Sequence, residues 1–380
     1  MAAGHCQEQA ASTQTALALE QQGRNSEAEA AWRAVQKARP SSPEPYAHLG
    51  LLAARQERYQ EAVPFYRRAL ALNPTMPGVH LNLGLALFKG GELKQAIAEF
   101  EPLLKAQPPG SAEGQRLTIL IGMAHYGLGD YALAASSLRQ AAAGDPQNLP
   151  LRMTLAQSCM WSDQYQCVLD TYREILTLNA ESAEADMLAG EALDEMKDNA
   201  GSTKMFRAAV KANPREPNVH FGLGYLLWTQ KQYPEAASEF QAELANDPEH
   251  TQAMLYLADS QVQLNRKEEA QPLLEKVVLR DPSLALGHLD LGVIYSDADR
   301  KEEALRELQA AAKLAPNDVN AHWRLGRLYR AMGKNDEAKA ELAKASTLNK
   351  AADEDLYKKI ANGHPKPPDS GGSTPAPPNQ

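Results

Sequence analysis

Apolar residues recur three and four positions apart in short segments along most of the chain, with polar residues between them. Residues 217–248 show the pattern clearly, because one apolar stripe ends near Thr229 and a second begins after Tyr233 and Pro234. This spacing predicts amphipathic α-helices, and proline suits the first turn of the second helix. The segment therefore predicts two short antiparallel helices, neither of which can bury its apolar stripe alone.

The pair of helices repeats every 34 residues. A glycine or alanine occupies the eighth position of six successive units, at Ala156, Gly190, Gly224, Ala258, Gly292 and Gly326. A second small residue occupies the twentieth position of most units, and proline occupies the thirty-second. Small side chains let two helices approach closely, and proline ends a helix because it has no amide hydrogen. About ten such units span residues 9–350.

The register is interrupted once, and the pattern changes again after the last unit. Gly84 and Gly122 are 38 residues apart instead of 34, so we expect a four-residue insertion in a loop near residues 109–113. Residues 351–363 predict a helix that caps the apolar end of the stack. Residues 364–380 contain six prolines and no apolar period, which predicts a disordered tail.

The repeated positions resemble the tetratricopeptide repeat, which has small residues at positions 8 and 20, an aromatic residue or leucine at position 24 and proline at position 32. The position-24 residues include Tyr66, Phe100, Tyr172, Phe206 and Phe240. The resemblance covers nearly the whole chain and implies an all-α fold, a right-handed α-solenoid superhelix of helix–turn–helix repeats. The family's aromatic residue at position 4 remains only as Tyr46 and becomes histidine in four units, at His80, His220, His288 and His322.

In this family the first helices line a concave groove, and side chains at positions 2, 5, 9 and 12 point into it. The resemblance therefore implies a peptide groove that is apolar, aromatic and methionine-rich, with a basic end. The groove candidates are Leu81, Leu85, Phe88, Ile119, Met123, Tyr126, Met153, Met160, Phe221, Tyr225, Trp228, Trp323, Arg327 and Arg330. The alternative is that several of these residues pack against neighbouring repeats.

Charge and hydropathy narrow the class of partner. The chain has 39 basic and 48 acidic residues, and the net charge of −9 disfavours nucleic acid and anionic lipid. No window reaches the roughly 20 apolar residues of a membrane-spanning helix. We expect a protein or peptide partner and no integral membrane segment, with self-association through the end repeats as a compatible alternative.

Catalytic chemistry has no visible basis in the sequence. The four position-4 histidines are separated by multiples of 34 residues, so we expect them on successive hairpins, packed between helices with one ring nitrogen hydrogen-bonded. The chain has no glycine-rich phosphate loop, HExxH helix or GxSxG turn. We expect no metal, no cofactor and no catalytic residue, and therefore not an enzyme.

Two of the three cysteines form a candidate pair. Cys159 and Cys167 occupy positions 11 and 19 of the fifth unit, one on each helix, where a Cα separation of about 4.4–6.8 Å would allow a disulfide. Buried free thiols are favoured over the bonded pair. Cys6 lies in residues 1–8, an extension that looks like the end of a bacterial export signal. The sequence leaves two locations open: we expect a cytoplasmic protein as written, and a periplasmic or otherwise exported one if the N-terminus is truncated.

Two functional hypotheses of different class remain. The first is a non-catalytic scaffold or adaptor that binds a peptide or helical segment along its concave groove. The second is a substrate-recognition or regulatory subunit of an enzyme complex, for example one associated with a glycosyltransferase, whose catalytic part is on another chain.

Overall fold

The computed structural model describes residues 13–363, except for the side chains at 352 and 355–363. These residues contain α-helices and no β-strand, and the chain divides into a first unit, Met1–Asn213, and a second unit, Pro214–Gln380. The helices are α1 (residues 13–21), α2 (Asn25–Ala38), α3 (Glu44–Arg55), α4 (Tyr59–Leu72), α5 (Val79–Lys89), α6 (Leu93–Lys105), α7 (Ala112–Leu128), α8 (Tyr131–Gly144), α9 (Leu149–Met160), α10 (Tyr165–Leu178), α11 (Ala183–Glu195), α12 (Asn199–Ala212), α13 (Val219–Thr229), α14 (Tyr233–Asn246), α15 (Thr251–Gln263), α16 (Lys267–Arg280), α17 (Ala285–Asp297), α18 (Lys301–Leu314), α19 (Val319–Ala331) and α20 (Asn335–Gly363). Odd-numbered helices are the first helices of the repeats, and even-numbered helices are the second, as the 34-residue pattern predicts.

Within each repeat the two helices are joined by a turn of fixed geometry. The residue at position 15 has a positive φ in every repeat: Gly23, Glu57, Gly91, Gly129, Asp163, Lys197, Lys231, Asn265, Asp299 and Gly333. The next amide donates to the carbonyl five residues earlier, as from Gln232 to Leu227 at 2.8 Å. This bond and the left-handed residue are typical of a Schellman helix end. Because glycine occupies only four of the ten positions, the residue pattern alone did not predict the turn.

The left-handed turn makes one stabilising substitution available. Lys231 has φ +61° and is exposed, and a side chain costs about 1 kcal/mol in this conformation. Glycine would remove this cost, but it also makes the unfolded chain more flexible, which offsets part of the stability gained. We expect Lys231→Gly to raise the free energy of unfolding by about 0.5 kcal/mol, measured by urea unfolding. Gly129→Ala, the reverse change at the same repeat position, should lower it; a loss of stability in Lys231→Gly would contradict this account.

The glycine at position 8 packs against the residue at position 24 of the same repeat. A Cβ atom added at Gly84 would lie 2.5 Å from Cε1 of Phe100, which is fully buried. The same contact recurs between glycine and Tyr66, Phe206 or Phe240 at 2.8, 2.6 and 2.8 Å. The close approach of the two helices is therefore an approach of a glycine backbone to a large side chain.

The residue at position 4 connects one repeat to the end of the preceding repeat. Tyr46 donates its hydroxyl hydrogen to the carbonyl of Pro40 at 3.1 Å. In His288 the Nε2 atom lies 3.1 Å from the carbonyl of Pro282, and the Nδ1 atom lies 2.7 Å from Glu307. His80 and His322 make the same two contacts, with a glutamate and with the carbonyl of a position-32 proline. The sequence predicted one bonded nitrogen, whereas these three histidines use both.

Two bonded nitrogens make the stability of this contact depend on pH. The hydrogen bond with Glu307 raises the pKa of His288 above its usual 6.5, although burial opposes the rise. The contact is therefore fully stabilising below pH 6.5 and is lost as the pH rises through the raised value. We expect Glu307→Gln to lower the free energy of unfolding by about 1 kcal/mol at pH 6 and by less at pH 9.

The control for this prediction is Glu302→Gln, because Glu302 is exposed on the same helix and its removal changes the net charge equally. Urea unfolding of both variants at pH 6 and pH 9 gives the comparison. If Glu307→Gln lowered the free energy of unfolding equally at the two pH values, the His288 imidazole would be neutral in the folded state.

The structure also describes the four-residue insertion and the segment after the last repeat. The insertion lies in a loop only as far as Ser111, because α7 begins at Ala112 and has 17 residues. The Ser111 hydroxyl accepts from the amide of Gly114 at 3.1 Å, which caps the added helical turn. Residues 351–363 continue α20 without a break. The sequence predicted that side chains of this segment cover the apolar end of the stack, but most of these side chains lie outside the described residues. The extension 1–8 and the tail 364–380 also lie outside them.

Candidate protein-binding surface

The groove candidates of the first unit are all half-buried. Leu81, Leu85 and Phe88 pack against the core of the second and third repeats. The other five pack against the cores of the fourth, fifth and sixth repeats: Ile119, Met123, Tyr126, Met153 and Met160. Each of these side chains therefore contributes part of its surface to packing between repeats and leaves the rest accessible.

The second unit has a contiguous group of aromatic rings, which we call the aromatic surface: Phe221, Tyr225, Trp228 and Tyr256. Tyr256 is at its centre, with ring centroids 5.3 Å from Tyr225, 4.9 Å from Trp228 and 6.1 Å from Phe221. Two of the contacts are edge-to-face, an arrangement favoured by aromatic quadrupoles. Tyr225 is 39% exposed, whereas the other three rings are half-buried. The predicted candidates of this repeat thus meet in one place.

Sequence reasoning missed Tyr256 because it lies at position 6 of its repeat, outside the positions assigned to the groove. Its phenol packs on Phe240, with centroids 5.9 Å apart. Burial raises the pKa of the Tyr256 hydroxyl, and Tyr225 and Asp259 add to the rise, so the group is neutral at physiological pH. The available signal was an aromatic residue directly after position 5, a position assigned to the groove.

A buried carboxyl pair adjoins the aromatic surface. The indole Nε1 of Trp228 donates to Oδ2 of Asp259 at 2.5 Å, which fixes the orientation of the ring. Asp259 and Asp290 are 3% and 4% exposed, and their carboxyl groups interact. Burial and the neighbouring Asp259 raise the pKa of Asp290 well above its usual value, while Arg324 opposes the rise. The raised pKa favours the protonated form of Asp290 in the folded state.

The last first helix, α19, presents a basic stripe that we call the arginine surface: Trp323, Arg327 and Arg330. Trp323 is 39% exposed, and both arginines are exposed. The guanidinium carbon of Arg327 lies 4.7 Å from the Trp323 ring centroid, and that of Arg324 lies 5.3 Å away. The indole is thus in cation–π contact with two arginines. All three predicted residues of this repeat share one accessible face.

The first unit has a different exposed aromatic group at a turn between helices. Trp161 is 53% exposed, and its ring lies 4.8 Å from Tyr131 and 5.6 Å from Tyr126. Sequence reasoning missed Trp161 because position 13 follows the last position assigned to the groove. Of this group, only Tyr126 was a predicted site residue.

Cys159 and Cys167 are joined in a disulfide, with their Cα atoms 5.9 Å apart. The free thiols that the sequence favoured are not what the structure contains. The reason is local, since α9 ends just after Cys159 and α10 begins just before Cys167, so both lie beside the hairpin turn. An Arg139 guanidinium nitrogen lies 2.8 Å from the Cys167 sulfur.

Among residues 13–363, no three histidine, cysteine or carboxylate side chains lie together as metal ligands would. Within the same range, no helix combines the length and the apolar character needed to cross a membrane.

Several solved structures resemble this chain. YrrB, described as a tetratricopeptide repeat protein with an unusual peptide-binding site, is 18% identical with a TM-score of 0.41, over 50% of this chain and 97% of YrrB. MamA from Desulfovibrio magneticus RS-1, solved from residue 41 to its end, is 20% identical with a TM-score of 0.40, over 44% of this chain and 96% of the solved MamA chain. Yeast Tom70 is 13% identical with a TM-score of 0.39, over 95% of this chain and 93% of Tom70. At these identities the likeness concerns the fold alone.

Sequence comparison identifies the repeat. Curated proteins give no significant match. One profile of the tetratricopeptide repeat matches residues 13–77 and 187–251, and a second matches residues 53–118, 227–289 and 295–361. The matched segments cover well over half of the chain, and repeats of this kind form protein–protein interaction scaffolds. The chain belongs to the tetratricopeptide repeat family.

Proposed function

We propose that this protein is a non-catalytic scaffold that binds an apolar segment of another protein on the aromatic surface of α13 and α15. The observation that carries the proposal is the group of four rings around Tyr256, with Tyr225 39% exposed at its edge. Tyrosine and tryptophan supply a large contact area with little loss of side-chain entropy on binding, so they dominate the binding energy of many interfaces.

The orientation of the rings supports binding as well as packing. Asp259 accepts the indole hydrogen of Trp228, so this ring has no unpaired donor to bury when a partner covers it. The rings of Phe221 and Tyr225 are stacked at 6.3 Å, which leaves a rigid, mainly apolar face. A preorganised surface lowers the entropy cost of binding.

A random 16-residue peptide library displayed on phage provides the probe for this proposal. Peptides selected on the full chain are synthesised, and their affinity is measured by fluorescence anisotropy. We expect Tyr225→Ala to weaken binding of the selected peptides about 30-fold, which corresponds to roughly 2 kcal/mol for a central aromatic contact. Thermal unfolding should change little, because the ring is partly exposed and no core side chain is removed.

Leu279→Ala is the matched control, because Leu279 is 84% exposed on α16 of the same unit and lies outside the aromatic surface. It should leave the affinity unchanged. Selected peptides that bind Tyr225→Ala as tightly as the unaltered chain would place the binding surface elsewhere, and Trp161 would be the next residue to change. Replacing Phe221 or Trp228 is less informative, because both are half-buried and contribute to packing.

A further inference from the structure

The arginine surface has positive charge that no residue of the described chain neutralises. Helix α19 contains no acidic residue, and neither Arg327 nor Arg330 forms an ion pair with a carboxylate among the described residues. Among the described residues, the hydrogen bond of Arg324 is to the Asn320 side-chain oxygen, at 3.4 Å. This is unusual in a chain whose net charge is −9. The guanidinium groups are available to an external anion.

The two aspartates that share a cavity with the stripe are each paired with a lysine. A cavity of about 200 Å³ lies between α17 and α19, with Asp297, Asp299, Arg324 and Arg327 in its wall. Lys267 lies 2.5 Å from Asp297, and Lys301 lies 3.1 Å from Asp299. Because each aspartate is paired with a lysine, these two carboxylates do not balance the charge of the arginines at the cavity.

Trp323 gives this charge a fixed position. A guanidinium group that lies against an indole loses rotational freedom and still presents its N–H groups at the edge. Arg327 is held in this way at 4.7 Å from the indole centroid. Planar guanidinium groups bind carboxylates through two parallel hydrogen bonds. An exposed indole beside them adds apolar contact for the methylene groups of an acidic side chain.

We propose that Trp323, Arg327 and Arg330 bind a cluster of aspartate or glutamate side chains in the same partner segment whose apolar residues contact the aromatic surface. This proposal deepens the proposed function and rests on it. The partner segment then has two parts, an apolar part for α13 and α15 and an acidic part for α19.

The fold sets the distance between the two parts. Helices α13, α15, α17 and α19 contact one another in succession, and packed helices lie about 10 Å apart. Three such steps make roughly 30 Å, which an extended chain covers in about nine residues. The apolar and acidic parts of the partner should therefore be separated by about nine residues.

The same phage library, with the full chain as bait, tests this proposal. Peptides selected on the unaltered chain should contain an acidic cluster about nine residues from an apolar cluster. Peptides selected on Arg327→Gln/Arg330→Gln should retain the apolar cluster and lose the acidic one. For a synthetic peptide with both clusters, the double variant should bind about tenfold more weakly, and its affinity should depend less on salt.

The outcomes separate this proposal from the proposed function. Selection of apolar peptides without acidic residues, or an acidic cluster that persists on Arg327→Gln/Arg330→Gln, would overturn the proposal and leave the proposed function intact. Acidic peptides that bind Tyr225→Ala at full affinity and lose affinity on the arginine variant would overturn the proposed function and the two-part partner segment, and would retain only acidic binding by the arginine surface. The absence of any selected peptide would overturn both.

The control variant removes two positive charges elsewhere in the same unit. Arg306 and Lys313 are exposed on α18, so Arg306→Gln/Lys313→Gln changes the net charge equally without altering α19. It should bind the acidic peptide as the unaltered chain does, and an equal loss of affinity would mean that only overall charge matters. Two other partners are also tested, a thymidine oligonucleotide and a second copy of this chain. An oligonucleotide that binds more tightly than the peptide would contradict a peptide partner. Self-association that disappears in Arg327→Gln/Arg330→Gln would contradict it as well.

Discussion

Replacing Gly84 with leucine is expected to lower the free energy of unfolding by about 3 kcal/mol. Even the first added carbon would lie 2.5 Å from the Phe100 ring, and both residues are buried. Overpacking of this kind costs about 1–3 kcal/mol, and the four added carbons place Gly84→Leu at the upper end. Leucine favours helix over glycine by somewhat less than 1 kcal/mol, which offsets only part of the cost. Urea unfolding followed by circular dichroism measures the change.

Another repeat of the chain shows a pair of side chains that fits at these two positions. Ala258 and Leu274 occupy positions 8 and 24 of another repeat, and both are fully buried. The double variant Gly84→Ala/Phe100→Leu recreates that pair and should be more stable than Gly84→Leu. Ala143→Leu, which adds carbons at an exposed position of α8, should change stability by less than about 0.5 kcal/mol. Unchanged stability of Gly84→Leu would mean that the helices are not packed in this register.

Replacing Asp290 with asparagine is expected to stabilise the protein increasingly as the pH rises. Asp290 is 4% exposed, and its raised pKa reflects burial first and the Asp259 charge second. The folded state therefore retains a proton that the unfolded state releases above the ordinary value of 3.8. Stability falls as the pH rises from that value toward the raised pKa. Asparagine has nearly the same shape as aspartate but does not ionise.

We expect Asp290→Asn to differ little from the unaltered chain near pH 4 and to be about 2 kcal/mol more stable near pH 7, because ionising a buried carboxyl beside another carboxylate costs several kcal/mol. Urea unfolding across this pH range measures the difference. Glu302→Gln removes an exposed charge and should show no such trend. If Asp290→Asn were less stable by the same amount at both pH values, the aspartate would be ionised and paired with Arg324.

The candidate binding surface was predictable only in part. Positions 5, 9 and 12 of the seventh and tenth repeats did indicate Tyr225, Trp323 and Arg327, which are exposed. The same positions of the third and fourth repeats carry Leu85 and Met123, which are half-buried. A repeat position defines the direction of a side chain from its helix, but exposure depends on the size of side chains in the adjoining repeat.

The sequence by itself determined the features that depend on contacts within one hairpin. The 34-residue period placed the helices. The small residues at positions 8 and 20 let the two helices of one hairpin approach closely, and the proline at position 32 ends the second of them. The tertiary structure alone decided the position-4 contacts with glutamate, the Asp259–Asp290 pair and the centre of the aromatic surface at Tyr256. These depend on the relative rotation of neighbouring helices, because a hydrogen bond or a ring contact is made or lost over about an ångström. Apolar periodicity is insensitive to shifts of that size.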